Sequence, residues 1–364
     1  MTMSRVRSSL IGSLVVTATL VACGGDPGSA FDQGNGADGG TFGNPGTVPT
    51  FGGGSGGADG GTGGGGIDAA CVTASAKAES TPVYLVFMFD RSGSMKDSSK
   101  WTSCATGIKA FFGDAASAGV QASLQFFASA DECNVAGYAA PAVSMRALPD
   151  GATFGAAIDA TSPAGGTPTR PALEGAIAYA KLVQTQHPDG KVAIVLVTDG
   201  EPNDCSSSVN NVSTLAGTVA QAIPTYVIGV GSSLTNLNQI AKGGGTSQAI
   251  LVSTTTPASI TADFEKAIGQ IKQQALSCEY KIPAPPSGQT LDAANVNVLY
   301  TAGTGASDTL TYNKDCTGAG WRYDDASAPT KVFICPTSCD AVKTDKTGRI
   351  DVLFGCATKG GVVR

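Results

Sequence analysis

The sequence predicts an α/β fold: a doubly wound, mainly parallel sheet with helices on both faces, followed by a small disulfide-rich β module. Between residues 83 and 276, short apolar runs alternate with longer segments of helical periodicity. This alternation favours a parallel sheet that is covered on both faces. After residue 278 the apolar runs are short and punctuated by Gly and Asp, and four Cys accompany them. A chain of 364 residues is long enough for one large and one small domain beside non-globular segments.

The large domain is assigned to residues 71–278. Its strands are predicted from continuous apolar runs, at residues 83–89, 120–127, 142–145, 192–197, 225–230 and 250–252. Its helices are predicted from apolar residues at helical spacing, at residues 101–116, 154–160, 171–183, 209–222, 234–241 and 259–276. The order of these elements is that of a doubly wound sheet.

Residues 279–364 are predicted to form the cystine-rich β module. Three prolines break the chain near its start, and strand-like runs follow at residues 296–300, 309–312, 331–334 and 350–354. About 85 residues bury only a modest core, so we expect disulfides to stabilise this part of the chain.

The first 22 residues resemble the signal peptide of bacterial lipoproteins. Arg5 and Arg7 precede an apolar stretch at residues 10–21 that is too short to span a bilayer comfortably. This stretch leads into Ala22 and Cys23. The resemblance implies lipidation of Cys23, with attachment to the outer membrane of a Gram-negative bacterium. The alternative is an ordinary signal peptide in which a Cys happens to occur.

Residues 23–70 are predicted to be a Gly-rich, disordered linker. They contain almost no apolar side chains, so burial cannot offset the entropy lost on ordering them. Such a segment would hold the folded part away from a membrane surface. The expected localisation is therefore the cell envelope, with the lipid anchor as the contact with the membrane.

Five oxygen-bearing side chains are expected to meet at one edge of the sheet. Asp90, Ser92 and Ser94 follow the first strand at alternate positions, Thr167 follows two glycines before a helix, and Asp199 follows the run at 192–197. In doubly wound sheets, ligands bind beyond the carboxyl ends of the strands. Oxygen ligands with few carboxylates suit a hard cation such as Mg²⁺. The sequence therefore predicts a cation site here.

These segments resemble the metal-ion-dependent adhesion site of the von Willebrand factor A (vWA) domain family, which also occurs in integrin inserted domains. The family pattern is Asp-x-Ser-x-Ser, a distant Thr and a distant Asp, and this chain matches all five positions within residues 80–276; Thr169 is the alternative to Thr167. The resemblance implies that the two serines bind the ion directly, and that Asp90, Thr167 and Asp199 bind it directly or through water. It also implies Mg²⁺, Mn²⁺ or Ca²⁺ as the ion, with a partner protein's Asp or Glu in an open coordination position. The alternative is an unused ion that only stabilises the loops.

The nine cysteines after Cys23 are interpreted as disulfides of an exported protein. Cys71 and Cys278 bracket the large domain and are predicted to pair, as end-to-end cystines do in some vWA domains. Cys133 and Cys205 both belong to the cation edge and could pair there. The four cysteines of the β module are expected to form two bridges, with the pairing left open: Cys316, Cys335, Cys339 and Cys356. Cys104 is then the odd thiol.

Nucleic-acid binding and most catalytic classes are disfavoured by composition. The formal net charge is −6, which makes nucleic acid a poor partner. The chain has one His, His187, in a turn at the opposite edge of the predicted sheet. Serine and cysteine triads need a His that faces the nucleophile, and zinc hydrolase motifs need two or more His, so neither kind of site is expected. We expect a protein that is not an enzyme.

The predicted function is binding of a protein partner through a divalent cation, by a domain tethered to the cell envelope. The alternative is a structural envelope lipoprotein whose C-terminal module binds a glycan or a cell-wall polymer. In that alternative Trp321 and Tyr323 could stack on a sugar, although the core of the module is the favoured place for both rings.

Overall fold

The computed structural model describes residues 71–276, 278–285, 287–288, 290–345 and 347–360. The predicted signal peptide, the linker and Cys23 lie outside the described residues. No helix in the described ranges combines the length and the apolar character needed to span a bilayer.

The strands and helices are numbered in chain order. The strands are β1 Ala74–Lys77, β2 Glu79–Ser80, β3 Val83–Asp90, β4 Val120–Phe127, β5 Val143–Ala147, β6 Lys191–Thr198, β7 Thr225–Val230, β8 Ile250–Val252, β9 Glu279–Lys281, β10 Val296–Thr301, β11 Ser307–Leu310, β12 Trp321–Tyr323, β13 Lys331–Ile334 and β14 Arg349–Phe354. The α-helices are α1 Lys100–Gly113, α2 Val135–Tyr138, α3 Gly151–Asp159, α4 Thr169–Gln186, α5 Val209–Gly217, α6 Leu237–Gly243, α7 Pro257–Ala275 and α8 Pro336–Thr344.

The α/β domain, which we define as residues 81–276, is built on a six-stranded sheet in the order β5-β4-β3-β6-β7-β8. The strand β3 pairs in parallel with β4 and β6, and only β5 runs antiparallel to its neighbour. Helices cover both faces of this sheet. The fold class predicted from the sequence is therefore confirmed.

The strand β3 explains why the predicted strands are continuously apolar. All eight of its residues are buried. Phe87 and Phe89 project into a cluster that includes residues of α1 and α7, whereas Val86 and Met88 project into a second cluster with residues of α4. Successive side chains point to opposite faces of a strand, so a sheet covered on both faces needs apolar residues at every position.

The β module, which we define as residues 71–80 together with the described residues from 278 onward, contains two four-stranded sheets. Their strand orders are β1-β14-β10-β11 and β12-β13-β9-β2, with antiparallel pairing throughout. The core between them includes Trp321, Val332 and Val352, all fully buried.

The structure differs from the predicted domain boundary at the start of the described chain. Residues 71–80, assigned from the sequence to the large domain, instead form β1 and β2, which pair with β14 and β9 of the β module. The chain therefore leaves the β module after Ser80, forms the α/β domain, and returns to the module at Cys278. The strands β1 and β2 are too short and too polar to be recognised from periodicity alone.

This topology also determines the disulfides. The predicted bond between Cys71 and Cys278 is wrong, because β1 lies against β14 and brings Cys71 to Cys356. Cys278 is bonded instead to Cys339 in α8. The expectation that Cys316, Cys335, Cys339 and Cys356 form two bridges among themselves is likewise wrong. Cys316 and Cys335 are bonded to each other. The remaining bridge, Cys133–Cys205, is the pairing expected at the cation edge.

Candidate metal centre

Sheet order brings two of the predicted ligands together. The strands β3 and β6 are neighbours, with Phe89 opposite Val197, so Asp90 at the end of β3 lies beside Asp199, which follows β6. The short helical segment Gly93–Ser99 carries the chain from β3 into α1. The loop before α4 contributes the remaining predicted ligand. All five predicted residues thus lie at the carboxyl edge of the sheet.

Asp90 lies at the base of the site and is fully buried. One carboxylate oxygen accepts a hydrogen bond from the backbone N–H of Ser92 at 2.7 Å, and the other accepts one from the hydroxyl of Thr198 at 2.6 Å. Burial raises the pKa of Asp90 to about 7; the Thr198 hydrogen bond opposes this shift, and the charge of Asp199 adds to it. Through these two hydrogen bonds Asp90 connects the loop after β3 to the end of β6.

Three oxygen atoms form a compact triangle above Asp90. The Oγ of Ser94 lies 2.8 Å from Oδ1 of Asp199, the Oγ of Ser92 lies 3.3 Å from the same oxygen, and the two Oγ atoms are 3.1 Å apart. Magnesium–oxygen bonds of 2.0–2.1 Å place adjacent octahedral ligands roughly 2.9 Å apart. Ser92 is buried and Ser94 is exposed, so the triangle reaches solvent on the side of Ser94.

A backbone hydrogen bond connects the loop that carries Thr167 to the loop between β3 and α1. The N–H of Gly93 donates to the carbonyl oxygen of Gly165 at 2.9 Å. Thr167 is buried, and its Oγ1 would lie 3.9 Å from a Cβ added at Gly200, which places it beside the residue that follows Asp199. The alternative residue, Thr169, is fully buried, and its hydroxyl donates to the carbonyl oxygen of Thr167.

Two acidic side chains accept hydrogen bonds from the backbone of this loop. Glu132 accepts from the N–H of Gly166 at 2.9 Å, and Asp204 accepts from the N–H of Thr167 at 2.7 Å. A Cβ at Gly166 would lie 1.8 Å from Oδ2 of Asp204. A side chain at Gly166 would therefore displace the Asp204 carboxylate from its hydrogen bond with the N–H of Thr167.

The bridge Cys133–Cys205 connects the segments that carry these two carboxylates. Each cysteine directly follows one of the two acidic residues in the chain, Glu132 and Asp204. The bridge is therefore part of the support for Thr167. Neither Asp204 nor Glu132 was predicted from the sequence to support this loop; the available signal was that each precedes a cysteine at the cation edge.

Lys100, the first residue of α1, was not predicted to belong to the site. Its Nζ forms an ion pair with Oδ2 of Asp199 at 2.8 Å, and its side chain is 17% exposed. It also lies 3.5 Å from the carbonyl oxygen of Ser94. No motif in the sequence marks this lysine, because the contact depends on how α1 leaves the loop.

The donor set fits a hard divalent cation. The described residues contain no group of three or more His, Cys, Asp or Glu that could hold a metal. The predicted site has only two such residues, because its other three donors are the hydroxyls of Ser and Thr. Oxygen-only donors with low total charge are typical of Mg²⁺ and of related ions that retain water or accept an external ligand. Asp90, Ser92, Ser94, Thr167 and Asp199 are the residues that would hold such an ion.

His187 and Cys104 are the two other chemically notable residues. His187 follows α4 and stacks on Tyr84 near the start of β3, with ring centroids 4.5 Å apart. Cys104 is a buried free thiol on α1, and burial raises its pKa. Neither arrangement provides an activated nucleophile.

Solved structures with related folds are distant from this chain. Proximal thread matrix protein 1 from the mussel byssus is 18% identical, with 54% of this chain and 47% of that chain covered and a TM-score of 0.39. The vWF domain of the pilus tip protein Mfa5 from Porphyromonas gingivalis is 14% identical, with coverages of 54% and 97% and a TM-score of 0.38. Manganese-loaded Plasmodium vivax TRAP protein is 14% identical, with coverages of 62% and 89% and a TM-score of 0.38.

These likenesses are too distant to carry functional conclusions, and this chain spans about half the length of the mussel protein. No curated protein matches the chain in a sequence comparison. The sequence profile of the von Willebrand factor type A domain, in contrast, matches residues 85–266, which is half of the chain. That range lies within the α/β domain and includes all five predicted ligands. The chain therefore belongs to the von Willebrand factor type A domain family.

Proposed function

We propose that this protein binds a protein partner through a divalent cation held by Asp90, Ser92, Ser94, Thr167 and Asp199. The observation that carries the proposal is the triangle of Ser92, Ser94 and Asp199 oxygens, whose edges of 2.8–3.3 Å suit adjacent ligands of one small ion. The favoured ion is Mg²⁺, with Mn²⁺ and Ca²⁺ as the alternatives.

The residues of the site have distinct roles in this proposal. The hydroxyls of Ser92 and Ser94 bind the ion without neutralising it, and Asp90 and Asp199 supply limited negative charge. When bound, the ion supplies a Lewis-acidic position that accepts a carboxylate oxygen. The exposure of Ser94 gives an Asp or Glu of a partner access to that position.

We propose binding rather than catalysis because the site offers no free base. Both oxygens of Asp90 accept hydrogen bonds, and Asp199 is engaged by two serine hydroxyls and Lys100. The chain's single histidine, His187, packs against Tyr84 instead.

A glycan-binding role for the β module receives less support. The indole N–H of Trp321 donates to the carbonyl oxygen of Leu310, and the hydroxyl of Tyr323 donates to that of Ala293. Both rings are buried in the core of the module, so neither presents a face to a sugar.

The proposed function is tested with the full chain and the metal alone. We expect calorimetric titration to detect binding of Mg²⁺ and Mn²⁺, and Asp199→Ala to abolish it. Glu201→Gln, a change at an exposed carboxylate two residues away, should leave binding unchanged. Capture of the partner should be lost with EDTA and restored by Mg²⁺. An Asp199→Ala protein that still captures the partner would refute cation-mediated recognition.

The envelope tether is a separate part of the proposal. It rests on the resemblance of residues 1–23 to a lipoprotein signal. We expect the protein in the membrane fraction of the cells that make it, and Cys23→Ser to move it to the soluble fraction. Unchanged fractionation would contradict the lipid anchor.

A further inference from the structure

Asp199 uses its two carboxylate oxygens differently: one faces serine hydroxyls of the site and the other faces a lysine. Its Oδ1 faces the hydroxyls of Ser92 and Ser94, at 3.3 and 2.8 Å. Its Oδ2 receives the ammonium group of Lys100 at 2.8 Å. The Asp199 side chain is wholly buried, so this carboxylate has no solvent to screen its charge on either side.

Lys100 is placed to influence the charge of the whole site. When both are ionised, Asp90 and Asp199 give the proposed ligands two negative charges, and the ammonium group reduces this to one. A charge a few ångströms from a partly buried ion acts with less screening than one at the open surface. Partners of metal ligands also fix ligand orientation and tune the metal.

Neighbouring charges do not duplicate this role. The guanidinium of Arg91 is occupied by the carbonyl oxygens of Ala128 and Ser162, at 2.6 and 3.0 Å. Lys96 is exposed. Among the ion pairs recorded for the described residues, the one that reaches a proposed ligand is that of Lys100.

We propose that Lys100 is a positioning and specificity-determining residue that holds Asp199 and limits its neutralisation of the bound cation. The cation then retains more of its charge for an external carboxylate, at the expense of its own affinity. This inference rests on the proposed function. It predicts two opposite effects of removing the lysine charge: tighter metal binding and weaker anion binding. A merely structural role would weaken both.

The experiment uses the full chain with Mn²⁺ as the metal probe and acetate as the anion probe. Mn²⁺ affinity is measured by calorimetry, and acetate binding to the Mn²⁺-loaded protein by paramagnetic broadening of the acetate NMR signal. The charge-removing variants are Lys100→Gln and Lys100→Met, the second of which keeps the apolar stem. Lys100→Arg retains the charge, and Lys96→Gln is the matched control at an exposed lysine of the same segment.

We expect both charge-removing variants to bind Mn²⁺ about tenfold more tightly, since a partly exposed unit charge lies close to the ion. Their Mn²⁺-loaded forms should bind acetate at least about threefold more weakly. Lys100→Arg and Lys96→Gln should behave like the unaltered protein. Unchanged or weaker Mn²⁺ binding in both charge-removing variants would overturn the role of Lys100 alone. Failure of the unaltered protein to bind Mn²⁺ would overturn the proposed function and this inference together.

Discussion

The strand β3 of the α/β domain is eight residues long and buried throughout, whereas the strands of the β module have two to six residues. The α/β domain has a buried cluster on each face of its sheet and one disulfide. Three disulfides involve the β module, which has a single smaller cluster. The large domain is thus stabilised mainly by apolar burial, and the small module depends on covalent bonds.

The disulfides of the two regions also differ in what they stabilise. Cys278 and Cys339 both lie in the core cluster of the β module. The bridge Cys133–Cys205, in contrast, lies beside Glu132 and Asp204, which hold the loop of Thr167. A disulfide in the module therefore supports the fold, and the disulfide of the α/β domain supports the site.

The largest effect is expected from removing a core disulfide of the β module. The double variant Cys278→Ser and Cys339→Ser should lose about 2–4 kcal/mol of stability. We expect amide protons of β9 and β13 to lose protection from hydrogen exchange, while those of β3 and β6 keep it and Mn²⁺ affinity is unchanged.

The matched control for this variant is the shorter bridge of the same module. Cys316 and Cys335 are separated by 19 residues, against 61 for Cys278 and Cys339. In the chain-entropy account their removal should be less destabilising by about 1 kcal/mol. Equal loss of protection in β3 and β13 would show that the two regions unfold as one unit. It would contradict the claim that the two regions are stabilised in different ways.

A smaller effect, on binding, is expected from removing the bridge of the α/β domain. The double variant Cys133→Ser and Cys205→Ser should remain folded, because the two apolar clusters of the domain are intact. We expect Mn²⁺ affinity to fall about fivefold, as the hydrogen bonds that position the loop of Thr167 weaken. Calorimetry of the metal alone measures this change.

The module variant Cys278→Ser and Cys339→Ser is the control here, since it removes a bridge away from the site. If both double variants bind Mn²⁺ as the unaltered protein does, the Cys133–Cys205 bridge does not support the site.

The smallest effect concerns the pH dependence of the β module. Asp345 accepts hydrogen bonds from the N–H of Gly303 and the hydroxyl of Tyr300, which hold the pKa of its carboxyl well below the ordinary value of 3.8. The unfolded chain therefore binds the proton more tightly, and this stabilisation, present above about pH 4, is lost as the pH falls towards the folded-state pKa. We expect the melting temperature of the module to fall between pH 5 and pH 3, and to fall less in Asp345→Asn.

Asp315→Asn, at an exposed position of the same module, is the control and should keep the slope of the unaltered protein. A slope that is identical in Asp345→Asn and the unaltered protein would show that the hydrogen bonds of Asp345 do not contribute to acid sensitivity.

Much of the α/β domain could be predicted because its signals are local. Apolar residues at every position of β3 indicate a strand buried on both faces, and the residues that follow β3 and β6 necessarily lie at the same edge of a parallel sheet. Asp90, Ser92, Ser94 and Asp199 could be named for this reason, whereas Thr167 was named from its place after two glycines before a helix and from the vWA pattern. Glu132 and Lys100 could not, because their contacts depend on the direction in which a loop or helix leaves the sheet.

The β module was less predictable from its sequence. The helix α8 was not predicted, and β1 and β2 were assigned to the wrong domain. Short strands with mixed burial carry little periodicity, and cysteine positions do not determine which sulfurs meet. The proximity of the ends of the α/β domain suggested Cys71 with Cys278, but the antiparallel pairing of β1 with β14 brings Cys71 to Cys356.

By itself, the sequence determined the α/β architecture and the positions of Asp90, Ser92, Ser94, Thr167 and Asp199 along it, because burial periodicity and strand ends are properties of neighbouring residues. Only the tertiary structure decided that the α/β domain is inserted between β2 and β9, which cysteines pair, and that an ammonium group contacts Asp199. These features depend on contacts between segments far apart in the chain, and such contacts form only when the sheets and helices pack together.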